Sequence, residues 1–179
     1  MDASYILGQI VGFIALAFCV GCYQIKNSRM LMLCKATGDC IYILHYLLIG
    51  AYSGCAAMVI CALNGVLCSF RGQRWAEWKG WKWVLSAALV PACLASCRGM
   101  DDLFPGMCTL VSILFVIWST WSGKARIIRL AKLFGAGPTW LVYSIIMRSY
   151  SGALSESIGM LSAAIGLYRY GFRKEDDEI

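Results

Sequence analysis

Asp39 is the residue whose chemistry most needs an account. It stands near the centre of an apolar stretch, residues 30–50, with Lys35 four positions before it. A charge at the middle of a membrane helix is unfavourable by at least ~2.5–3.5 kcal/mol on insertion scales. The i, i+4 spacing puts Lys35 on the same helix face, one turn away, where an ion pair lowers that penalty. Two readings follow: Asp39 couples solute movement to protons or binds a cationic solute, or Lys35 and Asp39 form a structural pair. His45, the only histidine, falls about a turn from the far end of the same stretch, and Glu156 about a turn into the last one. These two read as an outer gate or a titrating pair, or as groups that each face the membrane interface. One His and one Glu do not make a metal site, and no His/Cys ligand spacing completes one. No phosphate loop, nucleophile-plus-base arrangement or metalloprotease helix occurs. Neither an enzyme, a cofactor nor a bound metal is expected.

The elements that hold these residues are membrane helices. The chain has 179 residues, 60% of them hydrophobic, with a mean hydropathy of +0.67. A helix needs roughly 20 mostly apolar residues to cross a bilayer. Such stretches recur at about 4–24, 30–50, 51–70, 80–97, 103–121, 127–147 and 152–170. The first lacks a basic start and reads as retained rather than as a signal peptide. The ten cysteines all lie within these stretches or at their ends. Cys19 and Cys22 have redox-motif spacing and Cys93 and Cys97 share a helix face, but small apolar packing residues are the simpler reading.

The second half of the chain repeats the first. Lys26 falls on Lys124, Arg29 on Arg126, Lys35 on Lys132, Gly38 on Gly135, and Tyr52-Ser53-Gly54 on Tyr150-Ser151-Gly152. Arg71-Gly72-Gln73-Arg74 falls on Tyr170-Gly171-Phe172-Arg173, with the offset drifting only from 97 to 99. Duplicated helical units commonly build transporters with the site between the halves. The same alignment places Tyr42 opposite Trp140, two residues after Pro138, and Asn64 opposite Ser162. Pro138, with Gly135 and Gly137 before it, should kink or unwind its helix. Tyr42, Asn64, Trp140 and Ser162 form the candidate central site. The two rings would cover the faces of a flat or sugar-like solute, or simply pack, and Asn64 would bind solute or bond another helix. Lys35 and Lys132 are expected to snorkel towards the cytoplasm.

Charge sets the orientation. If all seven stretches cross, 14 of the 16 Lys and Arg residues fall on one side and only Arg98 and Arg148 on the other. Short Lys/Arg-rich loops stay cytoplasmic, so the N-terminus is expected outside and the C-terminus inside. Trp75, Trp78, Trp81, Trp83, Trp118 and Trp121 fall at the same cytoplasmic interface. A nucleic-acid partner for the basic Trp-rich loop is the weaker reading. The expected fold is therefore all-α integral membrane, with seven transmembrane helices as two parallel three-helix repeats. Residues 1–74 are the first repeat, 75–102 the basic loop and linker helix, 103–174 the second repeat, and 175–179 a solvated acidic tail.

Phe104-Pro105-Gly106, Val111-Ser112, Lys124, Arg126, Trp140-Leu141-Val142-Tyr143, Ser151-Gly152-Ala153 and Glu156 resemble the YgjV family of bacterial inner-membrane proteins. The resemblance covers most of the chain and is clearest over 104–169. It implies a multi-pass inner-membrane protein and supplies no substrate or catalytic residues. The three-plus-one-plus-three layout is also similar to SWEET and PQ-loop transporters. There the first helix of a repeat closes with Pro-Gln, whereas this chain has Tyr23-Gln24 and no proline. Asn64 resembles the central asparagine of those transporters, with Ser162 replacing its partner. The expected function is a small-solute carrier in the lipid bilayer. The alternative is a non-transporting sensor or assembly factor whose basic Trp-rich loop docks a cytosolic protein. A second copy of the chain, as a homo-oligomer, is a further candidate partner.

Overall fold

The apolar stretches fold as helices. The computed structural model describes residues 3–21 and 28–170. Cys22, Tyr23-Gln24, Lys26-Asn27, Gly171-Phe172-Arg173, Lys174 and the acidic tail lie outside the described residues. The elements are α1 (Ala3–Gly21), α2 (Ser28–Leu48), α3 (Tyr52–Ser69), α4 (Trp81–Ser96), α5 (Leu103–Trp121), α6 (Ala125–Ala131), α7 (Gly137–Ile146) and α8 (Tyr150–Tyr170). A π-helical turn, Lys132–Ala136, runs from α6 straight into α7, so these two make one interrupted rod. No strand occurs among the described residues. Among the described residues, three helical segments are long and apolar enough to cross a membrane: Ala3–Val20, Tyr52–Ser69 and Met100–Trp121. α4 is shorter, at 16 residues, and stays helical through Pro91.

The helices close into a ring. α1 packs on α2, α2 on α3, α3 on α5, α5 on α7, α7 on α8, and α8 back on α1. α4 lies outside the ring against α3 and α5. It presents the 4-spaced stripe Leu85, Leu89 and Cys93, all buried. The polarity is inside-out relative to a soluble protein. Ile6, Leu7, Ile10, Phe13 and Ile14 of α1 face outwards, while Asp39, His45, Asn64, Thr109, Ser112 and Ser144 are buried. Polar groups hidden inside and apolar ones outside are what a hydrocarbon surround selects.

The two corners that follow α2 and α7 match bond for bond. Ile49, Gly50 and Ala51 donate to the carbonyls of His45, Leu47 and Tyr46, and Cys55 donates to Ala51. Met147, Arg148 and Ser149 donate to Tyr143, Ile145 and Ser144, and Ala153 donates to Ser149. Every matched position is separated by 98 residues. Both corners need a left-handed residue to end the helix: Gly50 at φ +76° and Arg148 at φ +52°. Glycine adopts that region readily, whereas arginine is held there against its preference. The start of α1 sits on one corner, where the Tyr5 hydroxyl and the Gln9 amide donate to the Arg148 carbonyl at 2.8 and 2.9 Å. The start of α5 sits on the other, where a Cβ at Gly106 would be 4.0 Å from Ser53 Cβ. α1 and α5 therefore begin at the same end of the ring.

Candidate functional site

The ring encloses a cavity of about 210 Å³. All six rods of the ring line it, and α4 does not. α2 contributes Lys35, Asp39, Tyr42 and Tyr46, and α3 contributes Met58 and Cys61. α5 gives Ser112, Ile113, Val116, Ser119 and Thr120. The interrupted rod gives Ile128, Lys132, Ala136 and Trp140; α8 gives Gly152, Ser155, Glu156 and Gly159. Cys19 and Val20, from the last turn of α1, complete the wall.

Two ion pairs stand in this cavity. Lys35 Nζ is 2.8 Å from Asp39 Oδ2, and the Cys61 thiol donates to the same oxygen at 3.5 Å. Lys132 Nζ is 2.6 Å from Glu156 Oε2. The lysine side chains are 34% and 29% exposed, the carboxylates 6% and 13%. The acids are therefore the more deeply packed members of the two pairs. Gly159 makes room for one of them, since a Cβ there would lie 2.7 Å from Lys132 Cε.

The π turn places Lys132. The Gly137 N–H donates to the Lys132 carbonyl, five residues back, and a Cβ at Gly137 would collide with that oxygen. Pro138 follows and donates no backbone hydrogen bond to the preceding turn. Side chains attend to the carbonyls around it: Ser112 Oγ donates to the Ala136 oxygen at 2.9 Å and Thr139 Oγ1 to the Gly135 oxygen at 2.8 Å. Irregular backbone inside a membrane bundle is tolerated where protein or a cavity meets it.

An aromatic cluster closes the cavity towards the corners. Tyr46 stacks on Tyr42 with centroids 5.9 Å apart and meets Trp140 edge-on at 5.9 Å. Trp140 Nε1 donates to the Tyr46 hydroxyl at 3.0 Å. Beyond it, His45 Nδ1 lies 2.7 Å from the Gly8 carbonyl and Nε2 lies 2.8 Å from Ser149 Oγ. A carbonyl only accepts, so Nδ1 carries a proton. On the opposite side the Gly54 N–H donates to the Tyr143 hydroxyl at 2.7 Å, and that hydroxyl donates to the Ala51 carbonyl at 3.3 Å.

A family model for bacterial inner membrane proteins, Imp-YgjV, matches residues 6–174 of this chain. The chain belongs to the YgjV family. It is a helical protein of the bacterial inner membrane. No curated protein and no solved structure gave a match.

In this YgjV chain the residues singled out from sequence separate into two groups. Tyr42, Trp140, Lys35, Asp39 and Glu156 line the cavity together. Asn64 and Ser162 do not join them. The Asn64 amide donates to Thr120 Oγ1 at 3.2 Å and its oxygen accepts from Trp121 Nε1 at 2.9 Å, so the residue ties α3 to α5 beside the cavity. Ser162 is exposed. The inward stripe of α8 runs Gly152, Ser155–Glu156, Gly159 and Ala163, and position 162 falls to one side of it. His45 and Glu156 are not partners either: His45 is spoken for by Gly8 and Ser149, Glu156 by Lys132. Tyr42 and Trp140 do not face each other directly, because Tyr46 stands between them. Sequence reasoning passed over Tyr46, although it lies one turn on from Tyr42. It also left Lys132 at the interface, although its alignment with Lys35 and the unexplained depth of Glu156 together pointed inwards. Among the described residues no three His, Cys, Asp or Glu side chains gather as metal ligands.

Proposed function

We propose that this YgjV-family chain is a small-solute carrier working by alternating access, and that the central cavity is its binding site. The observation that carries the reading is the pair of charged contacts, Lys35–Asp39 and Lys132–Glu156, facing one space inside an apolar bundle. Intramembrane charges are rare and mark solute or ion pathways. Seven membrane crossings, with two parallel three-helix units and α4 as the linker, complete the proposal. The cyclic order α1–α2–α3–α5–α7–α8 supports parallel units. A twofold axis along the membrane normal carries each member of that series to the one three places on and keeps the direction of travel around the ring. The matched corners and the common starting end of α1 and α5 support it too. The layout so proposed is similar to that of SWEET transporters. The Lys/Arg bias puts the corners outside and the α5–α6 loop in the cytoplasm. Asp39 is the proposed coupling residue, exchanging a proton as Lys35 moves between it and the solute.

Counterflow tests the carrier reading. Proteoliposomes of the full chain, preloaded with one unlabelled solute, should accumulate its labelled form transiently, and Asp39→Asn should alter both the rate and its dependence on pH. Absence of exchange across a broad solute panel would leave the sensor or assembly reading. That rival draws support from Trp75, Trp78 and Trp83, which are 49%, 58% and 60% exposed in the basic loop and the first turn of α4.

A further inference from the structure

The cavity holds two cations and two anions, so its formal charge is balanced. Lys35, Lys132, Asp39 and Glu156 cancel, and the rest of the wall is hydroxyl, thiol or apolar. We propose that the ligand of this cavity is a small zwitterion with an apolar body, of amino-acid size, whose anionic group meets the lysines and whose cationic group meets Asp39 and Glu156. Charge balance carries the argument. A ligand with net charge leaves one uncompensated charge in a low-dielectric bundle, which is strongly unfavourable. A neutral polyol reaches the polar atoms only by separating ion pairs that sit at 2.8 and 2.6 Å, and offers weaker partners in exchange. A zwitterion replaces each contact it opens with one of the same kind.

Exposure and size fit the same class. The lysine side chains are less tightly packed than the carboxylates, so they are the freer to shift towards an incoming carboxylate. A cavity of about 210 Å³, against the ~150 Å³ of an engineered cavity that takes up benzene, suits one small molecule. Met58, Ile113, Tyr46 and Trp140 form the apolar part of the wall. A ligand ammonium near these rings would also gain cation–π attraction.

This assignment names the cargo of the carrier proposed above and so rests on that reading, but binding can be measured without transport. The full chain in nanodiscs would be titrated with L-leucine, L-phenylalanine and glycine betaine, followed by calorimetry and thermal unfolding. Two half-molecules of leucine, 4-methylpentanoate (no amine) and 3-methylbutylamine (no carboxylate), and glucose serve as comparators. At least one zwitterion should bind saturably and about tenfold or more tighter than either half-molecule and than glucose. The Asp39→Asn, Glu156→Gln double variant should move the preference towards 4-methylpentanoate; if it does not fold, the wild-type ligand series decides alone. Equal binding of a half-molecule or of glucose, or no saturable binding of any zwitterion in the panel, overturns the assignment. Zwitterion binding without counterflow overturns the carrier and leaves the ligand class standing. Glucose counterflow without zwitterion binding does the reverse.

Discussion

Two residues share one task at the equivalent corners, and they perform it differently. α8 begins after Ser149, whose hydroxyl accepts from the Gly152 N–H at 3.2 Å, an ordinary serine cap. α3 begins after Ala51, which has no side chain to offer. The third N–H of α3, Gly54, is met instead by Tyr143, reaching over from α7. Tyr143→Phe should therefore destabilise the protein by about 1–2 kcal/mol, because a buried donor loses its acceptor. Ala51→Ser should recover part of that loss by restoring the local cap, which thermal unfolding in detergent would read directly. The ion pair allows a similar comparison. Asp39→Leu alone leaves Lys35 facing an apolar wall and should cost on the order of 3 kcal/mol. The Lys35→Met, Asp39→Leu double variant should be closer to wild type than either single change. A loss in the double variant equal to the sum of the two single losses would mean the pair has no coupling.

At the scale of elements, the π turn accounts for a step in the alignment of the two halves read from sequence. The offset between aligned positions is 97 at Lys35/Lys132 and Gly38/Gly135, but 98 from Tyr42/Trp140 to Asn64/Ser162. The additional residue belongs to the π turn, Lys132–Ala136. Phe134, in that turn, is 74% exposed. Deleting Phe134 should restore plain α-helix with Lys132 seven residues before Trp140, the spacing of Lys35 and Tyr42, and so keep Lys132 beside Glu156. Glu156→Gln should then lower the unfolding temperature of the deletion chain as it does that of the full chain. The sequence announced the disturbance through Pro138 and its flanking glycines. It did not announce its direction, because a π turn and a simple kink relieve the same missing N–H. Helix existence was legible from hydropathy for the same reason that Asn64 and Ser162 were misplaced. Apolar stretches declare a helix, but depth along it says nothing of which face turns inwards. Ser162 sits at a suitable level on the wrong side of its helix. Asn64 met partners on α5 that lie 56 and 57 residues away and carry no local signal.

At the scale of the molecule, the ring predicts a specific neighbour relation. Gly12 faces the Ser151 hydroxyl so closely that an added Cβ would collide with it. In a background without the native cysteines, Gly12→Cys with Ser151→Cys should cross-link within one chain, whereas Phe13→Cys with Ser151→Cys should not. Single cysteines placed in the Arg98 and Lys124 loops should react with an impermeant thiol reagent from opposite faces of intact vesicles; labelling from the same face would sink the seven-span arrangement. Charge bias supplied that orientation as an expectation, whereas closure of α1 on α8 had no signal in the sequence, since nothing in either helix names the other. The closure bears on biogenesis. α1 is the first of these segments to leave the ribosome and α8 the last, with on the order of 10 s of synthesis between them at ~5–20 residues per second. Throughout that interval Gln9 lacks the Arg148 carbonyl, His45 lacks the Ser149 hydroxyl and the bare backbone at Gly12 lacks Ser151. A nascent chain stalled before residue 150 should therefore be held by insertion chaperones or handed to membrane proteases rather than released into the bilayer.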